Sequence, residues 1–363
     1  MLIACPLLCY LSEKRNNRGG IYLAYVIIFA ASALRFDIGF DYENYYYIFS
    51  SLANKFNYNG AFDWIDLITI EPFAFIFGYL FQWSANAYLY VIATYSLITI
   101  ILLFKIFDHY NIHTIGIFLY LASWIMFQSW DWVRQALALS FFLYSIQYIE
   151  SKSFLKFSVC IFLATMSHYS ALVLILAYPL SKLHIQRQFA IGIAVIALLL
   201  SLAGVLDQLK SLMFSLIPYY AELYANTDYE TAGGNHSSTT LFLTAILYLI
   251  YIAVMDKKYN YLQIPFLTGY IIFLISADNL NLDRIAWYFT SLQLIIVPLS
   301  LREALPGTQK RIVLLSAFGL LFLIYNVIDI GATIRGCTPY ETIFSPNCEQ
   351  LHFRDREPIN WLN

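Results

Sequence analysis

The chain has 363 residues, 60% of them hydrophobic and 12% charged, with a formal net charge of -2 and a mean hydropathy of +0.64. Globular domains carry about 25% charged residues, so half that share over this length excludes a soluble enzyme, a disordered tail and a nucleic-acid binder, and leaves a polytopic membrane protein. The five cysteines, at 5, 9, 160, 337 and 348, have neither zinc-ribbon nor redox-pair spacing, so no cofactor and no metal are announced.

Read against the roughly 20 residues a helix needs to cross a bilayer, the apolar runs predict eleven spans, beginning with 21–35, 86–106, 113–130, 132–149, 153–168 and 169–182. The rest are 189–206, 239–255, 262–276, 285–301 and 311–328. Residues 1–12 read as a short twelfth helix; the basic residues follow it, which is not the form of a cleaved signal. Residues 72–83, PFAFIFGYLFQW, are also too short to cross, and with Glu71 before Pro72 at a helix start they read as an interfacial or re-entrant helix. The expected fold is therefore an all-α polytopic membrane protein with about 11–12 transmembrane helices, its external loops carrying short interfacial helices.

Lys and Arg in short loops set orientation. Assigning alternate loops places thirteen of them on one face, the predicted cytoplasmic one, and eight on the other together with 18 of the 23 acids. The exterior then carries the large segments 36–85, 207–238 and 329–363 of a single integral-membrane domain. The cytoplasmic loops are short and contain no phosphate-cradling glycine loop, so direct use of ATP is not expected.

Charges inside a bilayer are costly and usually functional, yet here the helix centres hold almost none. Arg35, Arg134, His168 and Arg284 instead stand where predicted spans meet the external face, within apolar sequence. An arginine fork matches phosphate oxygens in a bidentate way, so arginines converging at one depth describe a seat for a lipid phosphate or diphosphate; the alternative for each is an interfacial anchor. His168, between Ser167 and Ser170, is the histidine placed for general-base work, its unperturbed pKa being near 6.5; a structural histidine bonded to a helix end is the competing reading. Asp37, Asp41 and Glu43 suit acid–base work, a divalent cation or simple turn chemistry beside Gly39. Tyr42, Tyr45, Tyr46, Tyr47, Trp64, Trp83, Trp130 and Trp132 suit either a carbohydrate groove or an aromatic belt. Cys337 and Cys348 fall in an external segment, where a disulfide is permitted and expected.

The residues GFDYENYYYIF after Arg35, the pair Glu71-Pro72, RQALALSFFLYSIQYI from Arg134 and HYSAL from His168 together resemble the EpsG family of Wzy-like polysaccharide polymerases. Five elements follow in order: R-x-x-x-G-x-D-Y at Arg35, Gly39, Asp41 and Tyr42, R-Q at Arg134 and Gln135, H-x-S-A-L at His168, R-x-x-x-Y at Arg284 and Tyr288, and a late pair at Pro339 and Tyr340. The resemblance implies a GT-C-like fold and a glycosyltransferase that polymerises undecaprenyl-diphosphate-linked oligosaccharide repeat units at the outer face of the bacterial plasma membrane. Donor and acceptor lipids, membrane lipids and a chain-length regulator protein are the implied partners, and nucleic acid is not one. With these readings together, His168 and Asp41 are expected to be catalytic, Arg35, Arg134 and Arg284 to be diphosphate ligands, and Tyr42, Gln135, Tyr288 and Tyr340 to be glycan contacts, with no metal. A flippase for the same lipids and a membrane O-acyltransferase are the rivals.

Overall fold

The computed structural model describes residues 1–39, 41–58, 60, 70–123, 125–206, 208, 238–276, 280–304, 307–323 and 340–345. Runs this apolar leave backbone N–H and C=O groups no partner in lipid except along their own helix. The described residues are accordingly helical, with an isolated antiparallel bridge between Arg35 and Thr342 as the extended pairing among them. Contacts divide the chain into two compact units, one holding residues 1–175 and the described 340–345, the other the described part of 176–329.

The first unit opens with α1 (Ala4–Lys14) and α2 (Gly19–Ala33), followed by α3 (Tyr42–Asn57) and α4 (Pro72–Leu80). Then come α5 (Ala87–Tyr110), α6 (His113–Ala122), α7 (Ile125–Asp131), α8 (Val133–Glu150) and α9 (Phe154–Ser167). At 24 residues α5 is about 36 Å long at 1.5 Å per residue, enough to cross a bilayer alone. It is the axis on which α2, α3, α4 and α8 pack. The nine residues of α4 reach only about 14 Å, so this helix does not cross.

Among the predicted spans, 113–130 and 169–182 differ most from what is found. The 113–130 run is two helices, α6 and α7, broken after Ala122; at the break Ser123 turns its hydroxyl back onto the Leu119 carbonyl, a local bond that competes with helix continuation. The 169–182 run is a 3₁₀ helix, Tyr169–Leu176, followed by α10 (Ala177–Leu180). His168 between α9 and this 3₁₀ turn is extended, at φ -156° and ψ 120°. The segment 36–85, read as loop with short helices, contains the 16-residue α3, whose buried Tyr42, Tyr45, Phe49 and Leu52 recur at helical spacing and join the core around Tyr95 and Phe77.

In the second unit, α11 (Arg187–Leu202), α12 (Ser238–Val254) and a 3₁₀ turn (Lys257–Leu262) precede α13 (Gln263–Ile275). They are followed by α14 (Leu280–Thr290), α15 (Gln293–Glu303) and α16 (Gln309–Leu323). Across Ser291 and Leu292 the run Leu282–Glu303 is long and apolar enough to span. Helix α13 approaches α14 at Gly269, where a Cβ would stand 2.5 Å from Phe289 Cβ and 2.9 Å from the Thr290 nitrogen, so only glycine allows this backbone contact.

Apolar stripes remain uncovered on the outside of both units: Leu155, Val159 and Phe162 on α9, and Phe189, Ile196, Leu199 and Leu202 on α11. Surfaces of this kind are poorly tolerated in water and are matched by lipid. The molecule is an all-α membrane protein.

The polar groups sort to helix ends. In the first unit, Arg18 pairs with Asp108 at 3.0 Å, His113 lies between the Tyr25 hydroxyl and Asp108, and Glu13 accepts from Thr114. These are the N-terminus of α2, the C-terminus of α5 and the N-terminus of α6. In the second unit, Lys310 donates to Asp256 at 2.9 Å, while Arg302 and Glu303 share the Tyr259 hydroxyl. Within each unit, polar groups from separate helix ends therefore come together.

Candidate active site

At the opposite end of the first unit, three segments far apart in sequence meet on one carboxylate. Glu71 directly precedes α4, whose first residue is Pro72, in the extended conformation at ψ 151°; its side chain makes no cap bond to the helix and turns instead toward α8 and α9. Oε2 accepts from Arg134 Nη1, and Oε1 lies 2.6 Å from His168 Nδ1. The Glu71 carboxylate is only 3% exposed, whereas the Arg134 and His168 side chains each keep 20% exposure. Both partners thus open outward from a buried anion.

Local bonds hold this arrangement. Arg134 is in the first turn of α8, and Ser167, the last residue of α9, donates to its carbonyl at 2.7 Å, locking the two antiparallel helices in register beside the site. The Tyr169 hydroxyl donates to the Ile70 carbonyl at 3.1 Å, tying down the residue before Glu71. The Arg134 guanidinium lies over the Tyr45 ring, 5.8 Å from its centroid. Burial by itself would push the Glu71 carboxyl up, but the Arg134 charge and then the His168 hydrogen bond outweigh it and hold the group below the ordinary carboxylate value. Glu71 is therefore an anion at neutral pH. A neutral imidazole donating Nδ1–H to that anion presents Nε2 as its basic nitrogen.

Arg35 is placed differently from the phosphate ligand expected of it. Its side chain is 1% exposed, donates to the carbonyls of Ser32 and Trp130, and lies over the Trp130 ring. Trp130 returns a bond from Nε1 to Ser32 Oγ at 2.9 Å. Beside them Phe36 N donates to Glu341 O and Ile343 N to Leu34 O, and the Tyr340 hydroxyl donates to Ala31 O at 2.7 Å, so the late segment is sewn to the end of α2. Gly39, at φ 99°, passes against the same turn: a Cβ there would meet Asp131 Oδ1 at 2.6 Å. As folded, Arg35 clamps α2 to α7 just ahead of Arg134. Arg35→Ala is expected to lower thermal stability by about 2–5 kcal/mol through two orphaned carbonyls and a cavity. Specific activity of the surviving folded protein should change far less, as thermal unfolding and turnover of the same purified sample will show.

The remaining candidates fall into three groups. Asp41 stands half-buried at the start of α3, within 3.4 Å of Asn44 Nδ2, and its charge acts on Arg134. Tyr42, Gln135 and Tyr288 are buried, at 0%, 2% and 0% exposure, and as folded offer no surface for the glycan contact expected of them. Tyr340 is exposed beside Trp130. Arg284 and Tyr288 belong to the second unit, one turn apart on α14. Among the described residues, no three His, Cys, Asp or Glu side chains converge as a metal site. Cys337, Cys348 and Trp64 lie outside the described residues. Glu71, read from the sequence as a helix start and as part of the family resemblance but given no role in the site, is the residue on which Arg134 and His168 meet.

Fold and family match together define a helical membrane protein of the polysaccharide-polymerase type. The chain belongs to the EpsG family: the family model matches residues 21–342, nearly the whole chain and every candidate site residue. No curated protein and no solved structure matches it.

Proposed function

We propose that the protein transfers an oligosaccharide from an undecaprenyl-diphosphate donor to the sugar of a second lipid-linked repeat unit, at the outer face of the plasma membrane. The observation that carries this reading is the meeting of Arg134 and His168 on buried Glu71. Glycosyl transfer from a lipid diphosphate needs two services. The acceptor hydroxyl must lose a proton as its oxygen bonds to the anomeric carbon, and the departing diphosphate must be stabilised as the C–O bond breaks. His168 Nε2 takes the proton, Glu71 stabilises the resulting imidazolium, and Arg134 faces the leaving diphosphate. Asp41 is assigned to the rim of the acceptor side and the exposed Tyr340 to glycan; Arg284 keeps the diphosphate role expected of it from the sequence.

The rival readings fit less well. Secondary transporters bind near the bilayer midplane, whereas this cluster stands at helix ends of the first unit. An acyltransferase needs an acyl donor, for which the short loops predicted to be cytoplasmic provide no site. Cells lacking the protein should accumulate lipid-linked single repeat units on the outer side of the membrane and make no long glycan. Accumulation on the cytoplasmic side instead would favour the flippase and contradict the polymerase.

A further inference from the structure

Arg134 is poorly satisfied in the state described. One guanidinium nitrogen, Nη1, donates to Glu71, while Nε is buried without any hydrogen-bond partner. A buried unpaired donor costs about 1–3 kcal/mol and calls for an explanation. The anion it faces carries one negative charge and two oxygens, and one of those oxygens is already engaged by His168. A glycosyl lipid diphosphate carries two negative charges and several free oxygens, and it can take an arginine fork bidentately. Arg134 and His168 are each partly open to the outside, while Glu71 is sealed behind them. The carboxylate thus occupies, from the inside, the position on Arg134 that a phosphate would take from the outside.

We propose that Glu71 is an internal stand-in for the donor diphosphate, which displaces it from Arg134 on binding, and that this exchange couples donor occupancy to activation of His168. The inference rests on the polymerase reading and adds a switch to it. While Arg134 is paired with Glu71, the guanidinium charge neutralises the carboxylate and weakens its pull on the His168 proton. Once Arg134 turns to the diphosphate, the whole charge of Glu71 bears on Nδ1–H of His168, and Nε2 becomes the stronger base. The base is then strongest when a leaving group is in place. Glu71 touches no substrate atom in this scheme; it is a positioning residue, and its removal must act oppositely on binding and on turnover.

The experiment uses the full-length protein in nanodiscs, with inorganic diphosphate and farnesyl diphosphate as probes and isothermal titration as the readout. Glu71→Gln keeps the shape and removes the charge. It should bind both probes about 10-fold tighter than wild type, since freeing one charge-assisted donor is of the order of RT ln 10. Its KM for the lipid-linked donor should fall while kcat falls about 10²-fold or more, because His168 loses its orienting anion. Adding Arg134→Ala to Glu71→Gln should erase the gain in binding. Glu71→Asp retains the charge on a shorter side chain that cannot reach both partners, and should show a smaller gain in affinity; it serves in place of the glutamine variant if that one does not fold. Binding by wild type with no gain in either Glu71 variant would overturn the exchange while leaving the polymerase reading intact. No diphosphate binding by wild type and both variants alike would overturn the exchange together with that reading.

Discussion

Replacing His168 by alanine is expected to slow repeat-unit transfer by about 10²- to 10⁴-fold, the range over which a positioned general base contributes. The protein should remain folded, because His168 is at a break between helices and its main structural bond is to Glu71, which keeps Arg134. His168→Gln separates the two roles the imidazole can have. Glutamine can still donate to Glu71 but cannot take a proton at neutral pH, so it should be as inactive as alanine. Initial-rate measurements on purified variants check this. Full activity in the glutamine variant would make His168 structural and move the base to Asp41.

Arg134→Ala should abolish polymer, and its cost is of a different kind. The substitution removes the diphosphate partner and leaves Glu71, 3% exposed, with only a histidine to balance its charge. A lost partner of a buried ion pair costs about 3–5 kcal/mol, so stability and activity should fall together. Arg134→Lys tests the fork: an ammonium restores the charge to Glu71 and most of the stability, but a point charge cannot make the bidentate contact, and turnover should stay near that of alanine. Glycan ladders and thermal unfolding on the same preparations separate the two effects. Wild-type chain length in the lysine variant would show that charge alone suffices.

Much of this fold is written in the period and length of the apolar runs, because lipid permits a helix little alternative. What lay beyond reach was local. Ser123 breaks an otherwise continuous apolar run by a hydroxyl-to-carbonyl bond that no hydropathy window sees. The tyrosines of YENYYYIF looked like a sugar-binding set because they were read as loop; on α3 their helical spacing turns Tyr42 and Tyr45 into the core. That spacing was visible and would have found the helix. Arg134 and His168 were legible as charged groups at span ends, but the residue joining them was hidden by a second plausible use. Glu71 before Pro72 reads as an ordinary helix start, and its first role is indeed to be one. The better clue was its surroundings: a lone carboxylate in the apolar stretch around ITIEPFAFIF must find a cation when buried. Arg35 shows the converse, since a cation at a helix end can be buried against backbone carbonyls and an indole ring.

The central claim is that this chain alone joins lipid-linked repeat units, with guanidinium groups rather than a metal ion stabilising the departing diphosphate. The direct measurement is glycan length after incubating purified protein with lipid-linked repeat units as the only substrate, in excess chelator, without nucleotide, nucleotide sugar or ion gradient. The account predicts a ladder of products extended by whole repeats, with one undecaprenyl diphosphate released per bond formed. Elongation lost on chelation and restored by magnesium or manganese would reassign Asp37, Asp41 and Glu43 as cation ligands. No elongation under any metal condition, from protein that still binds the lipid, would contradict the polymerase itself.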